Sequence, residues 1–312
     1  MSNLNCKICG SGSTSFFFRC LDSEFRKSEI ELYRCGNCGV VFVHPQPGKG
    51  WLAKYYEDNY YKKPSLFFGL IRAFRRRAFS KLAPGKILDV GCGEGTFLLA
   101  MNNIGWECHG TEVSSSSEEF SGRLREKGVK VHYGELTNAG FEPGSFDLIT
   151  FWHVVEHLRN PKEYVRFCRR LLKKNGLLFI SVPNIGSTSF SLWKCGWFHL
   201  DLPRHLFHFD PKSISFLLEN NGFEIKGISH HSLEFNPFGV LQSLYNSLGF
   251  EFNFLYRALK NKAGQKGMAY YANLIATIIT LPVALPLSLA LSYLFSASGR
   301  GNTIQVLAMK KP

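Results

Sequence analysis

The sequence predicts an α/β fold: a mostly parallel, doubly wound sheet that begins near Lys86, follows a small cysteine-bearing module, and is interrupted by an apolar helical insertion before its last strand. Three observations predict it. From Lys86 onward short apolar runs alternate with amphipathic stretches, the rhythm of βαβ units. One of those runs opens into closely spaced glycines and then a helical pattern, and two Cys-x-x-Cys pairs precede it all.

The bulk properties bound the answer. A chain of 312 residues that is 45% hydrophobic holds one large α/β domain and an accessory module around a substantial core. With 37 Lys and Arg against 24 Asp and Glu, the net charge of +13 favours a polyanionic surface, either nucleic acid or anionic lipid. No recognition motif accompanies the charge, so nucleic acid is not expected as a partner. Met1 to Gly12 is polar where a signal peptide needs an apolar stretch, so a cytoplasmic chain is expected. Nine cysteines, an odd number, then favour reduced thiols and a metal over disulfides, with Cys20, Cys92, Cys108, Cys168 and Cys195 as ordinary thiols.

Residues 1–48 read as a zinc-ribbon-like module. Cys6 and Cys9, then Cys35 and Cys38, form two knuckle-like pairs followed by Gly10 and Gly39, which permit the tight turns that present all four thiolates to one ion. Four cysteines suit tetrahedral Zn2+ in a closed structural site. A redox pair is disfavoured because neither pair opens a helix within a βαβ unit. Residues 49–85 read as a linker with a basic amphipathic helix over 66–82 that carries Arg72, Arg75, Arg76, Arg77 and Lys81. The main domain spans 86–312. Its strands are expected over 86–92, 107–113, 129–135, 146–154, 177–183, 223–231 and 303–310, with helices over 95–104, 115–127, 161–174 and 211–221. An insertion at 233–300 is far longer than an ordinary connection.

The chemistry gathers at the ends of the expected strands. Asp89, Gly91, Cys92, Gly93 and Gly95 carry an apolar strand into a helix. Glycines there let the backbone approach a ligand at a helix amino terminus that favours an anion. The GxGxG form differs from the dinucleotide fingerprint at Thr96, which disfavours a nucleotide-dependent oxidoreductase. Glu112 ends the second strand about twenty residues further on, placed to accept hydrogen bonds from ribose hydroxyls. Glu135 ends the third, placed to accept from an adenine amino group, with Leu136 beside the ring. His153, Glu156 and His157 follow the fourth strand. His157 is a candidate base helped by Glu156, against a plain helix-stabilising role for the pair, and His153 joins the cofactor-binding set. A second cluster, Asp201 to Phe209, offers Arg204 for an anionic group and His205, in preference to His208, as a base. A structural clamp is its competing reading.

On these residues most of the stretch from Lys86 to the carboxyl terminus resembles the class I S-adenosylmethionine-dependent methyltransferases. The matching pieces are LDVGCGEGTFL at Leu88, GTEVS at Gly110, GELTNAGFEPGSFDLI at Gly134, FWHVVEHLRNP at Phe151 and LLKKNGLLFISVPN at Leu171. The resemblance implies a Rossmann-like seven-stranded methyltransferase sheet and S-adenosylmethionine as methyl donor. It also implies that the loop around Asp89, Gly91 and Gly93 holds the methionine part, Glu112 the ribose and Glu135 the adenine. Glu112 departs from the more usual aspartate. DLPRHLFHFDP at Asp201 resembles a bacterial subgroup linked to sugar or cell-envelope modification, and a similar cysteine module precedes sugar carbon-methyltransferases. Both imply a sugar-containing or lipid-linked acceptor. The rival from a different class is a non-catalytic S-adenosylmethionine-binding scaffold.

No charged residue occurs between Lys266 and Arg300, and 272–297 is long enough to cross a bilayer. Pro282 and Pro286 are expected to interrupt it. A single crossing would strand 303–310 away from its sheet, so a re-entrant or interfacial helical hairpin is expected on the inner membrane face. Lys260, Lys262, Lys266 and Arg300 flank it, and the basic helix is expected to face the same surface. A buried hairpin or an oligomer interface is the competing reading.

Overall fold

The computed structural model describes residues 4–24, 26–48, 75–113, 120–260 and 267–312. Three antiparallel strands, Thr14–Leu21 (β1), Glu29–Cys35 (β2) and Val41–Val43 (β3), form the amino-terminal module. After Lys86 come Lys86–Val90 (β4), Thr96–Asn102 (α1), Glu107–Glu112 (β5), Ser121–Glu126 (α2), Lys130–Tyr133 (β6), Phe146–Trp152 (β7), Pro161–Leu171 (α3) and Leu172–Pro183 (β8). Thr188–Trp193 (α4), Phe207–His208 (β9), Pro211–Glu219 (α5) and Phe223–Ser229 (β10) follow. Asn236–Ser247 (α6), Phe254–Leu259 (α7) and Met268–Ala297 (α8) lead into Thr303–Lys310 (β11).

The main sheet has seven strands in the order β10-β11-β8-β7-β4-β5-β6. Its centre, β8-β7-β4-β5-β6, is parallel, and β11 enters antiparallel between β8 and β10. Burial on both faces accounts for the almost unbroken apolar runs of β4 and β7, with Leu88, Leu148, Ile149 and Phe151 fully enclosed. The expected Rossmann-like sheet is therefore present. One apolar cluster includes Leu88, Ile149, Ile180 and Leu217; a second joins Ile87, Phe97, Trp106 and Trp152.

A second sheet, β1-β2-β3-β9, has consequences for function. Its last strand comes from the Asp201 to Phe209 loop, pairing His208 with Val41 and Phe207 with Phe42. The module is thus stitched into the main domain, and its Cys6, Cys35, Cys38 and Phe42 share a cluster with the sheet core.

Several expected boundaries shift. The helix expected over 161–174 ends at Leu171, because Leu172 is already extended and pairs with Phe146, its carbonyl accepting from Lys310 Nζ at 2.6 Å. The strand expected over 129–135 stops at Tyr133, and the helix expected to Asn221 stops at Glu219. Of the basic helix, residues before Arg75 lie outside the described residues, as do 114–119, Lys262 and Lys266. Arg75 pairs with Glu234 at 2.7 Å and lies over the Trp152 ring. Cys20 and Cys195, expected as thiols, are joined in a disulfide with Cα atoms 5.7 Å apart, because packing of α4 against the module brings β1 and the segment after α4 together.

Pro282 and Pro286 do not interrupt the apolar segment. α8 is one helix of 30 residues, and both prolines stand on its exposed side, clear of its packed face. The hairpin forms with α6 instead. Asn236 bonds Ser296 at 2.9 Å, Tyr245 bonds Thr280 at 3.1 Å and the Glu251 amide bonds Asn273 at 2.9 Å, so the two segments run antiparallel and α8 returns the chain to β11.

Candidate functional site

Strand ends build the first half of the site. At the carboxyl end of β4 the Gly91 and Cys92 amides donate to the Thr111 carbonyl at 2.8 and 3.0 Å, folding the loop back over β5. Gly91 and Gly95 hold φ of 72° and 67°, and a Cβ on Gly95 would sit 2.5 Å from Leu124 Cδ2. Only glycine fits there without strain. The Gly93 amide donates to Glu112 Oε2 at 2.9 Å, so the acid at the end of β5 touches the glycine loop. Asp89 is enclosed beneath them and accepts from Thr150 Oγ1 at 2.7 Å; burial pushes its carboxyl up to about 7. Glu135 lies just past β6, exposed, and accepts from the Tyr164 hydroxyl, with Leu136 buried beside it. The structure thus brings Asp89, Gly91, Cys92, Gly93, Gly95 and Glu112 to one end of the parallel sheet. Glu135, Leu136 and His153 follow neighbouring strands at that same end, the position of ligands in open α/β sheets.

The second half is a cleft of about 150 Å3 lined by His153, His157, Phe198, His199, Asp201, Arg204, His205 and Phe235, among others. His153 leads into it from β7 with φ of 56°, its ring against Phe235 with centroids 3.8 Å apart. Burial lowers the His153 pKa to about 3 and raises that of Glu156 to about 7. The His157 and His205 rings meet edge to face at 4.7 Å. His208, by contrast, is committed to β9 and does not line the cleft. Arg204 is held by Asp201 at 2.6 Å.

Sequence reasoning missed part of this wall. Ser23 and Glu24 come from the module, and Asn253, Tyr256 and Arg257 from the insertion. Nothing in their local pattern marks them, since only the tertiary fold brings three distant segments together. Thr150 and Tyr164, the partners of the two acids, were missed for the same reason.

In the amino-terminal module, the Gly10 and Gly39 amides close back on the Cys6 and Cys35 carbonyls at 2.7 and 3.0 Å. Cys6 and Cys38 sulfurs are 3.6 Å apart, Cys9 and Cys35 sulfurs 3.5 Å, and all four lie within 4.8 Å of one another. Tetrahedral zinc with thiolates at its usual bond length needs sulfurs about 3.8 Å apart. The donor set fits. The Cys38 thiol holds Cys6 in thiolate form, its pKa lowered to about 5.

The seven-stranded sheet, with its glycine loop touching a strand-end acid, defines a class I S-adenosylmethionine-dependent methyltransferase. Residues 65–226, just over half of the chain, match the family described as methyltransferase domain, and the chain belongs to that family. It is 31% identical over 160 residues to the ubiquinone biosynthesis O-methyltransferase of Xanthomonas euvesicatoria pv. vesicatoria, covering 48% of this chain and 66% of that one. To the ubiquinone biosynthesis O-methyltransferase of Pseudomonas aeruginosa it is 30% identical over 178 residues, covering 54% and 75%. The phosphoethanolamine N-methyltransferase 2 of Haemonchus contortus, solved with S-adenosyl-L-methionine, shares the fold at a TM-score of 0.50 and 19% identity, over 82% of this chain and 55% of that one. This chain is an enzyme that uses S-adenosylmethionine as methyl donor, and the scaffold reading is not favoured.

Proposed function

We propose that this enzyme methylates a hydroxyl of a lipid-linked acceptor, bound head-first in the cleft between the glycine loop and the apolar hairpin. The observation that carries the reading is the composition of the cleft wall. Phe235, Asn253, Tyr256 and Arg257 belong to the insertion that bears α8, so the acceptor pocket opens at the foot of an apolar helix. Asp89, Gly91, Cys92, Gly93 and Gly95 hold the methionine part of the cofactor, Glu112 the ribose, Glu135 and Leu136 the adenine, and His153 closes the cofactor side. His157, with Glu156 and His205, takes the acceptor proton while the hydroxyl oxygen attacks the sulfonium methyl in line. Arg204 and Arg257 suit an anionic group on the acceptor. The relatives' name, O-methyltransferase of ubiquinone biosynthesis, supports oxygen as the methylated atom. A sugar-containing acceptor is the second reading, favoured by the cysteine module and the Asp201 loop.

Cys6, Cys9, Cys35 and Cys38 hold structural Zn2+ on this reading, and residues 1–48, 49–85 and 86–312 act as module, linker and catalytic domain. The enzyme attaches peripherally to the inner membrane face through α8. The helix turns Thr277, Ala284, Ser288, Ser292 and Ser296 inward and leaves Ile278, Ile279 and Val283 exposed at 62%, 71% and 73%. That inverts the usual pattern of a soluble helix.

Calorimetric titration of zinc-loaded protein with S-adenosylmethionine, beside Gly93→Arg, tests the cofactor site. Binding lost in the variant is the expected outcome. A screen for methyl transfer to polyprenyl phenols, polyprenyl-linked saccharides and nucleotide sugars then separates the acceptors. Turnover of nucleotide sugars alone would replace the lipid-linked reading.

A further inference from the structure

Behind His157 and His205, which line the cleft, lies a buried carboxylate. Glu156 is 1% exposed, and neither carboxylate oxygen has a hydrogen-bond partner among the described residues. A carboxylate buried in that way is unfavourable unless something neutralises it. The nearest basic atom recorded is His153 Nδ1 at 3.3 Å.

The two cleft histidines point to what neutralises it. His157 Nδ1 lies 3.0 Å from the Arg204 carbonyl oxygen, and His205 Nδ1 lies 2.9 Å from that of His199. A carbonyl only accepts, so both rings carry their proton on Nδ1 and present the Nε2 lone pair on the opposite edge. An imidazole anchored in this way through its other nitrogen is the usual surrounding of a metal-bound histidine. One ligand atom from each of Glu156, His157 and His205 lies within 4.8 Å of the other two. Around a cation with ligand bonds near 2.1 Å, ligand atoms lie up to about 4.2 Å apart, so a small inward movement closes the site.

We infer that Glu156, His157 and His205 bind a divalent first-row transition cation at the floor of the acceptor cleft. Two imidazoles and one carboxylate suit such an ion and leave coordination positions open. The inference rests on the reading of this cleft as the acceptor site, and it changes how the hydroxyl is activated. A hydroxyl bound to the cation loses its proton to solvent more readily. The resulting oxygen anion then forms the new bond to the methyl carbon as the carbon–sulfur bond breaks, and S-adenosylhomocysteine leaves. Asp201 Oδ2 lies 3.7 Å from His205 Nε2, on the same side as the proposed ion, and Asp201 also binds Arg204.

The test uses the full chain with its cysteine site loaded with zinc, because Mn2+ does not displace zinc from thiolates. Mn2+ is titrated and the free ion followed by electron paramagnetic resonance, with S-adenosylhomocysteine binding measured by calorimetry on the same samples. One Mn2+ per chain is expected, weakened about tenfold or more in Glu156→Gln and in His205→Ala, with cofactor binding kept. Glu156→Asp, which retains the charge, should weaken it less. No bound Mn2+ in protein that binds S-adenosylhomocysteine overturns the inference, as does equal affinity in all variants. Mn2+ bound without any cofactor binding would instead overturn the methyltransferase reading.

Discussion

Single residues set the tolerance of the glycine loop. Gly95 combines a positive φ with a side chain already where its Cβ would go. Gly95→Ala should lower unfolding free energy by about 1–3 kcal/mol, read from urea midpoints, and weaken S-adenosylmethionine binding in calorimetry. Asp89 predicts a pH effect. Its carboxyl titrates at about 7 in the folded protein against 3.8 in a free side chain, because it is buried. The folded state therefore holds a proton that the unfolded chain has lost, and this residue's contribution to stability is full below about pH 4 and falls as pH rises toward 7. Asparagine stays neutral and its amide oxygen can still accept from Thr150. Asp89→Asn should thus gain on the wild type between pH 4 and pH 7, by roughly 1.4 kcal/mol for each unit crossed at most, measured as the difference in denaturation midpoint.

Among the elements, α8 is the one whose chemistry runs against a soluble fold. Its packed stripe is small and polar, and its large aliphatic side chains face outward. Ile279→Glu and Val283→Glu touch only that outer face. Each should leave S-adenosylmethionine binding unchanged while greatly reducing salt-resistant cosedimentation with anionic liposomes. If the wild type itself stays in the supernatant, the face has another partner and the membrane reading fails. β9 is the opposite case, two residues long yet decisive, since it ties the loop that supplies Arg204 and His205 to β3 of the module.

At the scale of the whole molecule, the cleft has walls from the sheet end, the loop, the module and the insertion at once. The cysteine cluster lies outside the cleft but shares its apolar core with the sheet. If the four cysteines hold zinc as proposed, its loss should therefore damage acceptor handling more than cofactor binding. Cys38→Ser, or chelation, is expected to lower kcat/KM for methyl transfer about tenfold or more with a smaller change in S-adenosylmethionine Kd. Equal losses in both would show that the module supports only global stability.

The strand-end half of the candidate site was legible because its signals are local. Asp89, the glycines, Glu112 and Glu135 sit at fixed offsets around strand ends, and strand periodicity alone places those ends on one side of a parallel sheet. The paired cysteines were legible for the same reason, as were the seven strands of the sheet. The acceptor half was not. Glu156, His157 and His205 stood out as residue types, but their convergence depends on backbone carbonyls of His199 and Arg204 that no pattern announces. The sequence by itself determined the sheet, because periodicity and glycine placement are properties of neighbouring residues, and its resemblance to the class I methyltransferases supplied the methyl donor. Only the tertiary structure decided that α8 is continuous, that it pairs with α6, that Cys20 meets Cys195, and that the module strand β3 holds the acceptor loop. Each of those depends on packing between segments far apart in the chain.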